Sequence, residues 1–384
     1  MRQCKNWIDS YLEYTEHQES PDLFHFWTGV SCVAVALGRK VWLDQGAYKV
    51  FPNHYIMLIA KTAQCRKSTA ARIGRDLIRM SGVSKISAER LTDAYLWQQL
   101  GELSLTTGSA TLYTFVDELK NYLRPDDARS GVITTLTTLY GCPDFIDSGT
   151  KTAGVDCLKN ACMNILAATT PRDFSEIIPT GSTESGFVPR VHIVHQEVPR
   201  PRISRPRLVE ELEPRLIADL KQMAALKGEV RLSKGADEWW TNWYENEFTQ
   251  SMDERLDGWY GKKHDYVLKL GLVLSVAEGD ELVVEENHLI ESLSQLDELE
   301  VFMLSMYDGV EAVPSLRYAE SVLGHIREAG EISHSQLLRM QGRRMDARGL
   351  QEVCQFLLVS GRIDIVRTEG GRGFIYKMRR RKGV

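Results

Sequence analysis

The chain has 384 residues, with 47 basic against 52 acidic side chains for a net charge of −5, and 43% of its residues are apolar. That is an ordinary globular composition with length for two or three domains. No apolar run approaches the roughly 18 residues of a membrane span, and the Met1–Asn6 start lacks the apolar core of a signal peptide. The seven cysteines (4, 32, 65, 142, 157, 162 and 354) are odd in number, scattered, and form no C-x-x-C pair. This excludes a zinc or redox motif and predicts reduced thiols in a cytoplasm. Charge is uneven: residues 316–384 hold 14 basic and 7 acidic residues, net +7, which leaves −12 for residues 1–315. A positive tail on an acidic body is the asymmetry expected where one part meets a phosphate backbone.

In chain order, residues 1–51 predict helices near Trp7–Tyr14 and Pro21–Ala36. A short hairpin follows, Lys40–Leu43 with Tyr48–Phe51 about Asp44–Ala47. Residues 52–198 alternate apolar strands with amphipathic segments, the pattern of a wound α/β sheet. Its first strand, from Tyr55, enters a loop ending Arg66-Lys67-Ser68-Thr69, and a helix is predicted from Thr69 to about Met80. Strand, loop, then Lys-Ser at a helix start is how nucleoside triphosphatases hold a phosphate chain. Backbone groups of Ala63, Gln64, Cys65, Arg66, Lys67, Ser68 and Thr69 would cradle phosphate. Lys67 would reach the β/γ oxygens, and the Ser68 hydroxyl would coordinate Mg²⁺. The two glycines of the general motif fall on Lys61 and Arg66.

Thr111–Glu118 is a β-rich apolar run ending in two acids, as a buried parallel strand delivering Asp117 to a metal and Glu118 to an attacking water would read. Asp144–Asp156 is a Gly/Thr/Ser-rich loop whose Lys151 is a candidate DNA contact. A further apolar run, Cys162–Pro171, ends in two hydroxyl residues; Thr169 or Thr170 would sense the γ-phosphate. Gly186–Arg190 then leads into a strand at Val191–His195, and Arg190 is a candidate for neutralising charge on a neighbouring subunit's phosphate. His192 and His195 fall on opposite faces of that strand, which excludes them as paired metal ligands.

Residues 199–207 alternate Pro and Arg and read as a semi-rigid linker. Residues 208–312 predict helices, with Trp239, Trp240, Trp243 and Tyr244 as a packing cluster rather than a base-stacking platform. Residues 313–384 predict helices at Arg317–Glu328, after Ser333 or Ser335, and at Asp346–Leu358. Strands at Arg362–Arg367 and Gly373–Lys377 follow, joined by a Gly-rich turn. That order describes a winged-helix domain, with Arg343, Arg344 and Arg348 at the third helix and Arg372 at the wing tip as candidate DNA contacts.

These pieces together resemble the RecA-like ATPases of phages, plasmids and integrated elements, a family of DNA helicases often linked to primase-polymerases. The resemblance covers most of residues 7–310. It rests on Trp7–Tyr14, Phe24-His25-Phe26-Trp27, Gly38–Leu43, Phe51-Pro52-Asn53, Arg66–Thr69, Val116–Leu119, Ala168–Pro171 and Gly186–Arg190. Family loops often end Arg-Lys-Ser, but keep small residues earlier, where this chain has Lys61, Thr62, Ala63 and Gln64. The resemblance implies a RecA-like P-loop NTPase core in an α/β fold, ATP and Mg²⁺ as cofactors, and a DNA-replication helicase. It further implies sites between subunits of a ring, most simply a hexamer around single-stranded DNA, a primase-polymerase or other replisome partner, no membrane, and the host cytoplasm. Two other classes fit the same residues: a helicase loader or ATP-gated assembly factor, and a non-catalytic DNA-binding protein with a degenerate phosphate loop.

Overall fold

Tyr55, Ile56, Met57, Leu58 and Ile59 are all buried, as only an inner strand covered on both faces can be. The computed structural model describes residues 2–89, 92–123, 131–150, 154–177, 186–249, 256–307, 318–341, 345–359, 362–367 and 374–378. Two units divide the chain, Met1–Leu304 and Ser305–Val384.

The first unit begins with α1 (Trp7–Tyr14), whose N-terminus is capped by the Asn6 side chain accepting from the Ile8 and Asp9 amides. Next come α2 (Asp22–Leu37), β1 (Val41–Asp44), β2 (Lys49–Val50) and β3 (Tyr55–Ile59). α3 (Lys67–Ser81), α4 (Asp93–Thr107), β4 (Thr111–Val116), α5 (Leu119–Tyr122) and α6 (Val132–Tyr140) follow. After them lie β5 (Phe145–Thr150), β6 (Gly154–Lys159), β7 (Cys162–Thr169), α7 (Pro171–Ile177) and β8 (Val191–His195). α8 (Glu213–Met223), β9 (Gly228–Leu232), α9 (Lys234–Asn242), α10 (Asp257–Glu278), β10 (Val283–Val284) and α11 (Glu286–Tyr307) complete the series.

The central sheet has the order β4-β7-β3-β8 and is parallel throughout. Ile86 adds a single parallel bridge to Tyr113 on the other side of β4. Ile59 is level with Thr169 on one side and His195 on the other, while Val116 pairs with Ala167. The chain therefore leaves β3, β4, β7 and β8 at one common carboxyl edge. α2 is buried nearly all round and lies with α3 against β3 and β7. The two helices approach closely because residue 74 is glycine: a Cβ there would sit 2.3 Å from Thr28 Cγ2 and 3.1 Å from Cys32 Sγ.

Two local expectations need correction. The stretch predicted as a pore loop at 144–156 belongs to an antiparallel hairpin, β5 with β6, because its flanks pair residue for residue from Phe145↔Lys159 to Thr150↔Gly154. Its tip, with Lys151, lies outside the described residues. The region after the linker is not purely helical: β9 and β10 extend the β1–β2 hairpin into a sheet of order β10-β9-β1-β2. Gly228–Leu232 alternates about a single buried residue, Val230, and such a short period-2 signal is hidden between longer helices. The Pro/Arg linker lies along the α1–α2 turn, where the Arg200 guanidinium donates to the Thr15 carbonyl at 2.6 Å and Gln18 donates to the Arg207 carbonyl at 2.6 Å.

The second unit contains α12 (Ala319–Ala329), β11 (Glu331–Ser333), α13 (His334–Gln341), α14 (Ala347–Val359), β12 (Ile363–Arg367) and β13 (Phe374–Met378). Its antiparallel sheet has the order β11-β13-β12, so β11 adds a strand to the two the sequence predicts. Val322, Leu323, Ile326, Leu337, Leu350, Val353 and Leu357 join Ile363 and Tyr376 in its own core.

Candidate functional site

Beyond Ile59 the chain turns through Ala60–Arg66 before α3 begins. The Cys65 side chain is buried, and its thiol donates to the Gln196 carbonyl at 3.3 Å, which ties the turn to the exit of β8. Burial, with Glu197 nearby, pushes that thiol up to about 11. Lys61 reaches Glu197 at 3.3 Å. Arg66 takes φ +48° and Ala63 φ +62°, left-handed conformations that glycine adopts without strain. Arg66 therefore has the backbone shape for which the general motif uses its second glycine. It is held there by Ser20 Oγ, which donates to the Arg66 carbonyl, and by an ion pair with Glu19 at 3.0 Å.

No side chain caps the N-terminus of α3; the Thr69 and Ala70 amides return to the Arg66 carbonyl. The first amides of such a helix face outward with a partial positive charge, an arrangement that favours anions. Lys67 is half-buried at this point. Burial holds its ammonium below the usual lysine range, against the opposing pull of Cys65, Asp173, Asp117 and Glu118. The lysine and the acidic pair, about 50 residues apart in sequence, thus come within electrostatic range of each other at the carboxyl edge of the sheet. Ser68 and Thr69 occupy the same first turn of α3.

Asp117 forms an ion pair with Arg72 from α3, while its Oδ1 is buried with no hydrogen-bond partner among the described residues. Glu118 pairs with Lys120 at 2.8 Å. β7 lies between β3 and β4 and brings Thr169 and Thr170 to the same edge. The Thr170 hydroxyl donates to Asp173 at 2.8 Å and accepts from the Asp173 amide at 3.1 Å. That reciprocal pair is a capping arrangement at the start of α7. Asp173 and Arg72 are site residues that the sequence reading missed. Thr170-x-x-Asp173 was a legible capping signal; the Arg72–Asp117 contact had none, since it needs α3 laid beside β4.

Arg190 is placed elsewhere. It ends a 3₁₀ turn leading into β8, at the amino edge of the sheet, where it donates to the Gly186 carbonyl and lies 5.9 Å from the centre of the Tyr140 ring. Within one chain it does not join Lys67. Arg348 is exposed in the first turn of α14, whereas Arg343, Arg344 and Arg372 lie outside the described residues.

An ammonium, an uncapped helix start and carboxylates at the same edge of a sheet can together hold a phosphate chain with its cation. The orphaned Asp117 oxygen suits a cation ligand. Among the described residues there is no cluster of three or more His, Cys, Asp or Glu side chains arranged to hold a metal on its own, and no helix long and apolar enough to cross a membrane. No protein-family model matches the sequence, and no curated protein matches it either.

Proposed function

We propose that the chain is a RecA-like ATPase that drives a DNA helicase or translocase in the replication of a phage or mobile element. The observation that carries this reading is that Lys67, at the uncapped start of α3, and the residues Asp117, Glu118 and Asp173 all stand along the carboxyl edge of one parallel sheet. Support comes also from β7, which lies between the strands bearing the lysine loop and the acidic pair and carries the hydroxyls of Thr169 and Thr170 to that edge. The substrate is Mg-ATP. Magnesium, when bound, neutralises charge on the β- and γ-phosphates, and Ser68 and Asp117 are the residues that would hold it. Lys67 and the α3 amides bind phosphate oxygens, Glu118 orients the attacking water, and Thr170 positions Asp173 beside Lys67.

Arg190 can contribute only from a second copy, so the reading places hydrolysis between protomers of a ring, most simply a hexamer on single-stranded DNA. The order helix, strand, helix, helix, strand, strand in the second unit supports a winged-helix reading, with Arg343, Arg344, Arg348 and Arg372 as its phosphate and groove contacts. One set of observations favours a second reading. The side chains of Lys61–Gln64 are exposed in the turn, and Arg72 already neutralises Asp117, as suits a nucleotide-gated loader or a DNA-binding protein with a silent loop. ATP hydrolysis measured with and without single-stranded DNA, beside strand displacement on a forked duplex, separates them. DNA-stimulated turnover with unwinding is expected; turnover without unwinding selects the loader, and no turnover selects the silent loop.

A further inference from the structure

A cavity of about 540 Å³ opens at the amino edge of the central sheet, the end opposite Lys67. The end of α2 and Gly38 line it together with Arg39, Lys40, Ser109, Thr111 and Lys227, so among the described residues three cations line it and no carboxylate does. Arg39 is already engaged: it pairs with Asp144, donates to Asn160 at 2.9 Å and to the Cys142 carbonyl at 2.9 Å. Lys40 and Lys227 differ. Lys40 is half-buried and donates only to the Ala224 carbonyl, while Lys227 is exposed, and neither has a carboxylate partner among the described residues.

Burial holds the Lys40 ammonium below the usual lysine range, and Lys227 adds to that by like-charge repulsion. Two ammonium groups at the mouth of a partly enclosed space, without a counter-charge, are an arrangement that an anion relieves. The wall hydroxyls are already engaged, Ser109 donating to the Asn160 carbonyl at 2.9 Å and Thr111 to Ser109 at 2.8 Å, so the free donors of the cavity are its ammonium groups. Among the described residues no aromatic ring lines the space, so none of them stacks a base. The chemistry selects the phosphate and not the nucleobase.

We infer that this cavity binds a phosphate group through Lys40 and Lys227, at a site separate from the Lys67 loop. The phosphate has two sources with the same chemistry, a small phosphorylated molecule and the backbone of a single strand. The site does not depend on ATP hydrolysis at the other edge.

Lysine acetylation of the full chain, read by peptide mass spectrometry, tests the inference, with inorganic pyrophosphate in one arm and a short oligothymidylate lacking a terminal phosphate in the other. A several-fold loss of labelling at Lys40 and Lys227 is expected in at least one arm, and equally in the Lys67→Ala variant. Protection by pyrophosphate identifies a small ligand, and protection by the oligonucleotide alone identifies backbone. Calorimetry with the protecting probe should then show a several-fold weaker affinity for Lys227→Gln, an exposed change that leaves the Lys40 packing intact. Unchanged labelling in both arms, protection that disappears in Lys67→Ala, or undiminished affinity in Lys227→Gln would each overturn the inference.

Discussion

Lowering the pH from 7 to 5 should destabilise the first unit through imidazoles that are buried in the neutral form. His25 is fully buried on α2, and neither ring nitrogen has a hydrogen-bond partner among the described residues. Burial, with the Arg200 charge adding to it, pushes its pKa down to about 3. His54 and His192 share a buried hydrogen bond of 2.9 Å, and burial holds both well below the usual histidine range, His192 at about 3, with Lys269 adding to the effect. For a base whose folded pKa is depressed, the unfolded chain binds the extra proton. Stability is therefore full above about pH 6.5 and is lost progressively as pH falls toward the folded value. For one imidazole that stays neutral when folded, the loss between pH 7 and 5 is about 2 kcal/mol. Across His25 and the His54–His192 pair the sum is about 6 kcal/mol, comparable with the whole stability of many domains. Urea unfolding followed by tryptophan fluorescence at both pH values measures the difference, because Trp7, Trp27 and Trp259 are buried in this unit. His25→Leu should lose about 2 kcal/mol less than the native chain over the same interval. Equal losses in the two proteins would refute the reasoning.

Three other outcomes follow from the site and its supports. Replacing Arg72 by Gln removes the cation now paired with Asp117; because Arg72 is substantially exposed, the pair is worth at most about 1 kcal/mol, so half-maximal magnesium for ATP turnover should fall by up to about fivefold. An unchanged magnesium titration would show that this ion pair does not compete with the metal. Gly74→Ala should cost about 1–3 kcal/mol in urea unfolding by forcing α3 off Thr28, and adding Thr28→Ser, which removes the clashing methyl, should restore most of it. Failure of the second change to restore stability would remove the close-packing account. Thr170→Ala should cost about 1 kcal/mol of stability as a lost helix cap, with Thr170→Ser close to the native value; equal losses in both would show that the hydroxyl does not cap.

Much of the central sheet was legible because its signals are local. A run such as Tyr55–Ile59, apolar at every position, has few solutions other than a strand covered on both faces, and Thr111–Val116 and Cys162–Thr169 read in the same way. The strand, turn and helix order around Ala60–Arg66 was legible, but not that Arg66 would take the left-handed shape, since side-chain identity argued for another conformation. What the sequence concealed is what long-range packing decides. The union of β9 and β10 with the β1–β2 hairpin joins residues nearly 200 positions apart, and nothing near Val230 announces its partner at Leu43. The contact between Arg72 and Asp117 likewise exists only because α3 and β4 lie side by side. Lys269, in a stretch read only as helical, is buried with its ammonium 2.6 Å from Asn53 Oδ1 and above the Tyr140 ring, a placement that amphipathic periodicity would have assigned to solvent.

The most direct test of the central claim is Mg-ATP turnover by the native chain beside its Lys67→Ala variant, on identical preparations whose folding is matched by circular dichroism. Steady hydrolysis by the native chain, with loss of at least about a hundredfold in the variant, is the predicted result. Hydrolysis that persists undiminished without the Lys67 ammonium would contradict it.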